Sequence, residues 1–157
     1  MSMTSGAVGS IDILLVEDNA GDLLLMMKFL KESKVKCRVN IVRDGEMALD
    51  YMKRINGFEK AWRPDLVLLD LGLPRLSGLE VLREIKSDES LRIIPVIVFT
   101  SSNHATDALA AYQLKADYLM VKHCDLSQFA ASMRYLEEVW LKVLYDGKQS
   151  QSGDWIV

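Results

Sequence analysis

Five strand-length runs of mostly apolar residues alternate with amphipathic, helix-length segments along most of the chain. The first, third and fourth runs are almost continuously apolar, which is typical of strands that are buried on both faces of a sheet. Regular alternation of this kind predicts a parallel sheet with helices on both faces. The runs cover residues 11–16, 37–42, 66–69, 96–100 and 118–121.

The segments between these runs carry apolar residues at helical spacing, and they predict helices that pack against the sheet. Five β–α units fit an α/β, flavodoxin-like (βα)5 sandwich of three layers, with a parallel sheet in the order 2-1-3-4-5. We expect one domain over residues 11–145, between a disordered tail at 1–10 and a C-terminal tail at 146–157. The predicted helices cover residues 22–32, 45–54, 78–86, 107–114 and 126–145.

Composition and charge exclude several classes of protein. The formal net charge is −3, and there is no basic stripe of the kind that neutralises nucleic-acid phosphates. No apolar stretch approaches the ~20 residues that span a bilayer. The two cysteines, Cys37 and Cys124, make neither a disulfide framework nor a metal motif. We therefore expect a soluble cytoplasmic protein with no nucleic-acid or membrane partner.

Chemically active side chains stand at the carboxyl ends of four predicted strands. Glu17 and Asp18 follow the first strand, and Asp70 follows the third. Thr100 ends the fourth strand and Lys122 follows the fifth. In a sheet of this order the functional site lies beyond the carboxyl ends of the strands, so these five side chains are expected to converge there.

Three carboxylates close together are costly unless a cation offsets their charge. Mg²⁺ suits such a site because it prefers oxygen ligands, takes one or two carboxylates and keeps several waters. Mn²⁺ is the alternative cation. We expect Asp18 and Asp70 to be direct ligands and Glu17 to act through water, with the backbone carbonyl of Gly72 as a further ligand.

An aspartate beside such a cation can act as a covalent nucleophile toward phosphorus and form an acyl phosphate. Charge on the transferred group is spread over its equatorial oxygens, so catalysis is mostly positioning and electrostatics. The cation, Lys122 and the Thr100 hydroxyl would each contact a different oxygen. A single aspartate after a strand is usually a turn residue. That interpretation does not explain why four predicted strands all end in the side chains that this chemistry needs.

Over residues 11–145 the sequence resembles a response-regulator receiver domain. The resemblance implies a phosphoacceptor signalling protein, rather than an enzyme, that is phosphorylated by a sensor histidine kinase in a Mg²⁺-dependent reaction. It also implies a protein-interaction surface that changes on phosphorylation. Spacings of 30 and 22 residues separate Asp70, Thr100 and Lys122, as in the family. The residues that carry the resemblance are Glu17, Asp18, Asp70, Thr100 and Lys122.

A narrower resemblance is to small stand-alone response regulators that are paired with bacterial phytochromes. It rests on the sequence VEDN at residues 16–19, the long connection at 55–64 and the sequence EEVW at 137–140. This resemblance implies a light-sensing histidine kinase as the phosphodonor.

The sequence departs from the family pattern in three places. His123 follows the lysine where the family usually has proline, often after a cis bond. Leu119 occupies the position of the family's switch aromatic, while Tyr118 is expected on the opposite face of the sheet. Small residues, Gly72 and Ser102, stand where larger polar residues commonly orient the hydrolytic water. We therefore expect an acyl phosphate that lasts minutes to hours.

The last predicted helix carries two apolar stripes. One stripe is enough to cover the sheet, so the second needs another surface, and we expect a symmetric homodimer through this helix. The alternative is that the C-terminal tail around Trp155 covers it. The first stripe contains Leu126, Phe129, Ala130, Met133, Leu136, Trp140 and Leu144, and the second contains Tyr135, Val139 and Val143.

Four other functions fit these residues less well than a phosphoacceptor does. A pseudo-receiver would be marked by substitution of Asp70 or Lys122, and neither is substituted. A phosphoaspartyl phosphohydrolase needs a second aspartate at position 72, where this chain has glycine. A flavin carrier needs a phosphate-cradling loop after the first strand, where Glu17 and Asp18 would repel phosphate. A DNA-binding regulator needs about sixty more residues for a second core.

Overall fold

The computed structural model describes residues 10–33, 36–101, 105–122, 127–128, 130–132, 134–135, 137–138 and 154–155. Within these residues six strands form one parallel sheet in the order β2-β1-β3-β4-β5-β6. The strands are β1 (Ser10–Val16), β2 (Lys36–Val42), β3 (Leu66–Asp70), β4 (Val96–Ser101), β5 (Tyr118–Lys122) and β6 (Asp154–Trp155).

The predicted order of the first five strands is confirmed, and each observed strand ends within one residue of its predicted bounds. The sixth strand, β6, was not predicted. It pairs with the edge of β5, with Tyr118 beside Asp154 and Leu119 beside Trp155. Two residues are too few to show the alternation by which a strand is recognised in sequence.

The first four predicted helices are also found. Three of them begin after a side chain that accepts a hydrogen bond from the first turn, namely Asn19, Asp44 and Ser77. Ser77 and Glu80 form a reciprocal capping box. The helices are α1 (Ala20–Glu32), α2 (Gly45–Lys53), α3 (Gly78–Ser87) and α4 (Ala105–Gln113), and the described residues between 127 and 138, here called α5, are helical too.

Much of the last predicted helix lies outside the described residues. Of its two predicted stripes, only Ala130 and Tyr135 fall within them. Ala130 is half-buried, whereas the Tyr135 side chain is 48% exposed. The stripe residues outside the described part are Leu126, Phe129, Met133, Leu136, Val139, Trp140, Val143 and Leu144.

Each face of the sheet has its own apolar core. Side chains from α2, α3 and α4 pack on one face, and this cluster includes Leu119. Side chains from α1 pack on the other face with Tyr118 and Met120. The prediction that Leu119 and Tyr118 lie on opposite faces is therefore confirmed. Because β3 lies between these two layers, all five of its residues are buried.

Some apolar side chains on three helices face outward instead of packing on the sheet. On α1 the buried residues are Leu23, Met26 and Leu30, whereas Leu24 is 75% exposed. Leu109 on α4 is likewise 58% exposed, and Met47 on α2 is 39% exposed. A helix that packs on one flat sheet buries a narrow stripe, so apolar residues about 100° away from that stripe face outward.

Replacing Gly78 by alanine is expected to destabilise the fold by about 1–3 kcal/mol, because α3 begins in direct contact with the backbone of β3. An added Cβ would lie 2.4 Å from the Asp70 carbonyl oxygen and 2.5 Å from the Leu71 Cα. Urea unfolding of Gly78→Ala measures the loss. Gly72→Ala is the control, since the nearest atom to its added Cβ is Asp70 Oδ1 at 3.9 Å. Equal stability of the two variants would contradict the expectation.

Candidate functional site

The carboxyl ends of β1, β3, β4 and β5 bring the predicted polar residues to one edge of the sheet. Glu17 extends β1 by donating its backbone N–H to the Val42 carbonyl at 3.1 Å. Asp70 is the last residue of β3, and Thr100 lies beside Val121 in the β4–β5 register. Three of these polar groups are buried although the strands are otherwise apolar: Glu17 is 1% exposed, Asp70 7% and Thr100 3%.

Glu17, Asp18 and Asp70 form a carboxylate cluster. One carboxylate oxygen from each residue lies within 4.8 Å of the other two. Asp18 is exposed whereas the other two are buried, so the cluster is open to solvent on one side only. Such a set of hard oxygen donors, with room for water on the open side, is suited to a divalent cation.

The Lys122 ammonium lies among three carboxylates. Its Nζ is 2.8 Å from Glu17 Oε1, 2.8 Å from Asp22 Oδ2 and 3.4 Å from Asp70 Oδ1. Burial disfavours its charge, but the hydrogen bonds to Asp22 and Glu17, together with the negative charges of Asp70 and Glu17, outweigh burial and raise the pKa of Lys122 above its ordinary value. The lysine is therefore a permanent positive charge at this edge of the sheet.

Sequence reasoning missed Asp22, which it assigned only to a helix. The residue lies in the first turn of α1, where an acidic side chain is favoured by the helix dipole. Its position in a helix already explains an acidic residue there, so the ion pair with Lys122 could not be inferred. No spacing rule connects residue 22 with residue 122. A weak signal was available: α1 begins directly after the acidic loop, so its first turn must lie beside the site.

Burial raises the pKa of Glu17 to about 7. The hydrogen bond from Lys122 opposes this shift, and the negative charge of Asp70 adds to it. A carboxyl buried beside another carboxylate holds its proton more tightly than one in water does. Because this pKa is near neutral, the Glu17 carboxyl gains or loses a proton readily at neutral pH. Added positive charge nearby would favour its ionised form.

The loop after β3 is held rigidly around Asp70. The Gly72 N–H donates to Asp70 Oδ1 at 3.1 Å, which orients the carboxylate. Leu71 and Leu73 are buried in the core, so the loop is anchored on both sides of Gly72. At the start of α2, an added Cβ on Gly45 would lie 2.1 Å from the Leu76 carbonyl oxygen, so helix and loop are in direct contact.

Two residues from the predicted departures, Ser102 and His123, lie outside the described residues, as does Cys124. Cys37 is half-buried on β2, and burial raises the pKa of its thiol to about 11. That thiol is therefore protonated and unreactive at neutral pH. Among the described residues, no helix is long and apolar enough to cross a membrane.

Comparison with known proteins shows consistent similarities. The response regulator receiver domain family matches residues 13–134. The response regulator Rcp1 of Synechocystis is 37% identical over 132 residues, which cover 84% of this chain and 90% of Rcp1. The solved Mn²⁺-bound form of Rcp1 superimposes with a TM-score of 0.81, covering 84% of this chain and 95% of that one at 37% identity.

A second solved structure is similar to the same degree. It is the phosphorylated cyanobacterial phytochrome response regulator RcpA, which is 41% identical with a TM-score of 0.81. The similarity covers 86% of this chain and 96% of RcpA.

Without divalent cations, Glu17 is expected to favour the folded state most strongly at acid pH. The folded protein keeps the Glu17 proton up to about pH 7, whereas the unfolded chain releases it near 4.5. Because the folded state binds more protons in this window, the contribution of Glu17 to the free energy of unfolding is complete below pH 4.5 and is lost as the pH rises to 7.

Urea unfolding in EDTA across that window, for wild type and Glu17→Gln, measures this contribution. The variant cannot titrate, so the stability of wild type relative to Glu17→Gln should fall as the pH rises. A relative stability that rises with pH would show that Glu17 is ionised in the folded protein throughout.

Proposed function

The chain belongs to the response regulator receiver domain family, and we propose that Asp70 accepts a phosphoryl group from a sensor histidine kinase. The observation that carries this proposal is the placement of Asp70, a buried carboxylate close to the carboxylates of Glu17 and Asp18 and to the Lys122 ammonium. Phosphoryl transfer depends on positioning and on positive charge that stabilises the phosphoryl oxygens. Lys122 supplies one such charge, and the carboxylates would hold a cation that supplies more. The protein would then signal through a surface that changes on phosphorylation.

Mg²⁺, or Mn²⁺ in its place, is the proposed cofactor. Asp18 and Asp70 would be direct ligands, Glu17 would act through water, and the Gly72 carbonyl would complete the protein ligands. Support comes from the three carboxylate oxygens within 4.8 Å of one another, and from the Mn²⁺-bound form of Rcp1. When bound, the cation offsets the carboxylate charge and polarises the phosphoryl oxygens.

The nucleophile in this scheme is an oxygen of the Asp70 carboxylate. It forms the new bond to phosphorus while the bond between phosphorus and the donor's histidine nitrogen breaks, and the imidazole leaves with that electron pair. The Gly72 N–H keeps the carboxylate oriented during the transfer. Lys122 balances the charge on one phosphoryl oxygen, and the Thr100 hydroxyl would donate a hydrogen bond to another.

We propose a phytochrome-type kinase as the donor, acting in the cytoplasm. The support is that RcpA, similar over most of its length, is a cyanobacterial phytochrome response regulator. Two bacteriophytochrome response regulators have related structures, with TM-scores of 0.66 and 0.68.

Incubation with acetyl phosphate and Mg²⁺ is expected to add one phosphoryl group to the wild-type chain. Asp70→Asn should gain none, because an amide oxygen is too weak a nucleophile. EDTA should abolish the reaction, and Asp18→Asn should slow it by at least about tenfold through loss of a ligand charge. Intact mass measures the phosphoryl group, and Asp50→Asn on α2 is the control aspartate.

Labelling of Asp70→Asn, or a wild-type reaction that is indifferent to EDTA, would overturn the proposed chemistry. The donor is tested separately by phosphotransfer from a labelled, purified phytochrome histidine kinase. Transfer that is no faster than from a histidine kinase with an unrelated sensor would contradict the phytochrome assignment while leaving the acceptor chemistry intact.

We also propose a homodimer through α5. In its support, the Tyr135 side chain on α5 is 48% exposed, and exposed aromatic residues are common at contacts between protein surfaces. Sedimentation velocity is expected to show a dimer for wild type and a shift toward monomer for Tyr135→Glu. Leu24→Glu is the matched control, since Leu24 on α1 is 75% exposed. Equal effects of the two substitutions would contradict a contact through α5.

A further inference from the structure

The Lys122 ammonium has a partner that the proposed chemistry does not use. Two carboxylates lie at the same 2.8 Å distance from its Nζ, those of Glu17 and Asp22, while Asp70 is further away at 3.4 Å. Glu17 and Asp70 belong to the cluster that suits a cation, whereas Asp22 stands outside that cluster. Among the carboxylates that contact the lysine in the described part of the chain, Asp22 is thus the one that would not also serve a cation.

Asp22 is itself held in place by the start of α1. Its backbone N–H donates to the Asn19 side-chain oxygen at 2.9 Å, and the next residue, Leu23, is buried in the core. The side chains of Lys122 and Asp22 are only 16% and 27% exposed. The ion pair therefore joins a fixed carboxylate to the end of a long, otherwise flexible side chain, and it is partly shielded from solvent.

The alternation of β5 explains why this pairing is available. Tyr118 and Met120 face the core that contains α1, so Lys122, two residues further along, projects toward the same side. The Lys122 ammonium therefore lies between α1, which carries Asp22, and β3, which ends at Asp70.

We propose that Asp22 is a positioning residue that holds the Lys122 ammonium beside the oxygens of Asp70. The inference rests on the proposed phosphoacceptor function and adds to it the group that fixes the lysine. A lysine has three N–H donors, so it can keep the bond to Asp22 while it turns another donor toward a phosphoryl oxygen. Without Asp22, the ammonium keeps only Glu17 and Asp70, which belong to the cluster that suits a cation, so it is held less firmly.

Replacing Asp22 by an uncharged residue removes a negative charge and also removes an anchor of Lys122. These two losses affect different kinetic quantities. Removing the negative charge of Asp22 reduces repulsion of an anionic phosphodonor, which lowers or leaves unchanged its half-saturating concentration. Losing the anchor of Lys122 lowers the rate constant at saturation. These two kinetic quantities therefore separate positioning from a simple change in charge.

The first test compares wild type, Asp22→Asn and Asp22→Glu with acetyl phosphate and Mg²⁺. Asp22→Asn should lower the saturating rate constant by about three- to tenfold, as expected for losing one charge-assisted hydrogen bond in a partly exposed site. Its half-saturating concentration should not rise. Asp22→Glu keeps the carboxylate and should recover the rate constant to within about twofold of wild type.

The second test needs neither metal nor turnover. Trace acetylation of lysines in EDTA, followed by peptide mass analysis, reports how firmly Lys122 is held. Lys86 is an internal standard, because its side chain is 12% exposed and it pairs with Asp117 at 3.0 Å. The ratio of labelling at Lys122 to labelling at Lys86 should rise about three- to tenfold in Asp22→Asn and return toward wild type in Asp22→Glu.

Glu46→Gln controls for the loss of an acidic residue from a first helical turn, since Glu46 has that position in α2. If Glu46→Gln and Asp22→Asn lower the rate constant equally, Asp22 acts only on its helix and the positioning role is wrong. It is also wrong if Asp22→Asn matches wild type in rate constant and labelling ratio. Failure of wild type to be phosphorylated on Asp70 would instead overturn the proposed function.

Discussion

The structure is organised around negative charge that is buried at the ends of apolar strands. Glu17 and Asp70 are almost inaccessible to solvent, and in each case the four residues before it in the chain are buried and apolar. Carboxylates in that position are costly unless positive charge is supplied nearby. Lys122 supplies one charge among Glu17, Asp22 and Asp70, so the site keeps an excess of negative charge. The raised pKa of Glu17 follows from burial and this imbalance, which a divalent cation would relieve.

Close packing holds this charge in place. The strands that end at the site, β1, β3, β4 and β5, are packed on both faces, which holds their ends together. The loop after β3, which follows Asp70, is also constrained. Gly45 and Gly78 allow α2 and α3 to lie against the backbone of this segment, where a Cβ on either glycine would clash. The position of Asp70 is thus set by glycines that carry no chemistry themselves. A site that depends on charges within a few ångströms requires a backbone that cannot relax away from them.

The sequence was sufficient to predict the sheet order and the convergence of polar residues, because parallel strands with buried faces have a strong apolar signal and their carboxyl ends must meet. It was insufficient where a contact depends on the rotation of a helix. Leu24 belongs to an apolar run on α1, yet it faces outward because Met26 takes the buried position. The same rotation directs Asp22 toward Lys122, a hundred residues away in sequence. Local pattern does not determine such a pairing, and a two-residue strand such as β6 shows no pattern at all.

The alternation of the strands also decides which parts of the protein a phosphoryl group on Asp70 would reach. Lys122 projects toward the face covered by α1, where its partner Asp22 lies. Val98 on β4 belongs to the opposite core, so Thr100, two residues further along, faces α2, α3 and α4 together with Leu119. A phosphoryl group on Asp70 that contacted both Lys122 and Thr100 would therefore affect side chains on both faces of the sheet. Leu119 lies in the apolar core on the Thr100 side, so a change at Thr100 would be transmitted on that face through apolar packing. The Lys122 side has a direct ionic link to a helix.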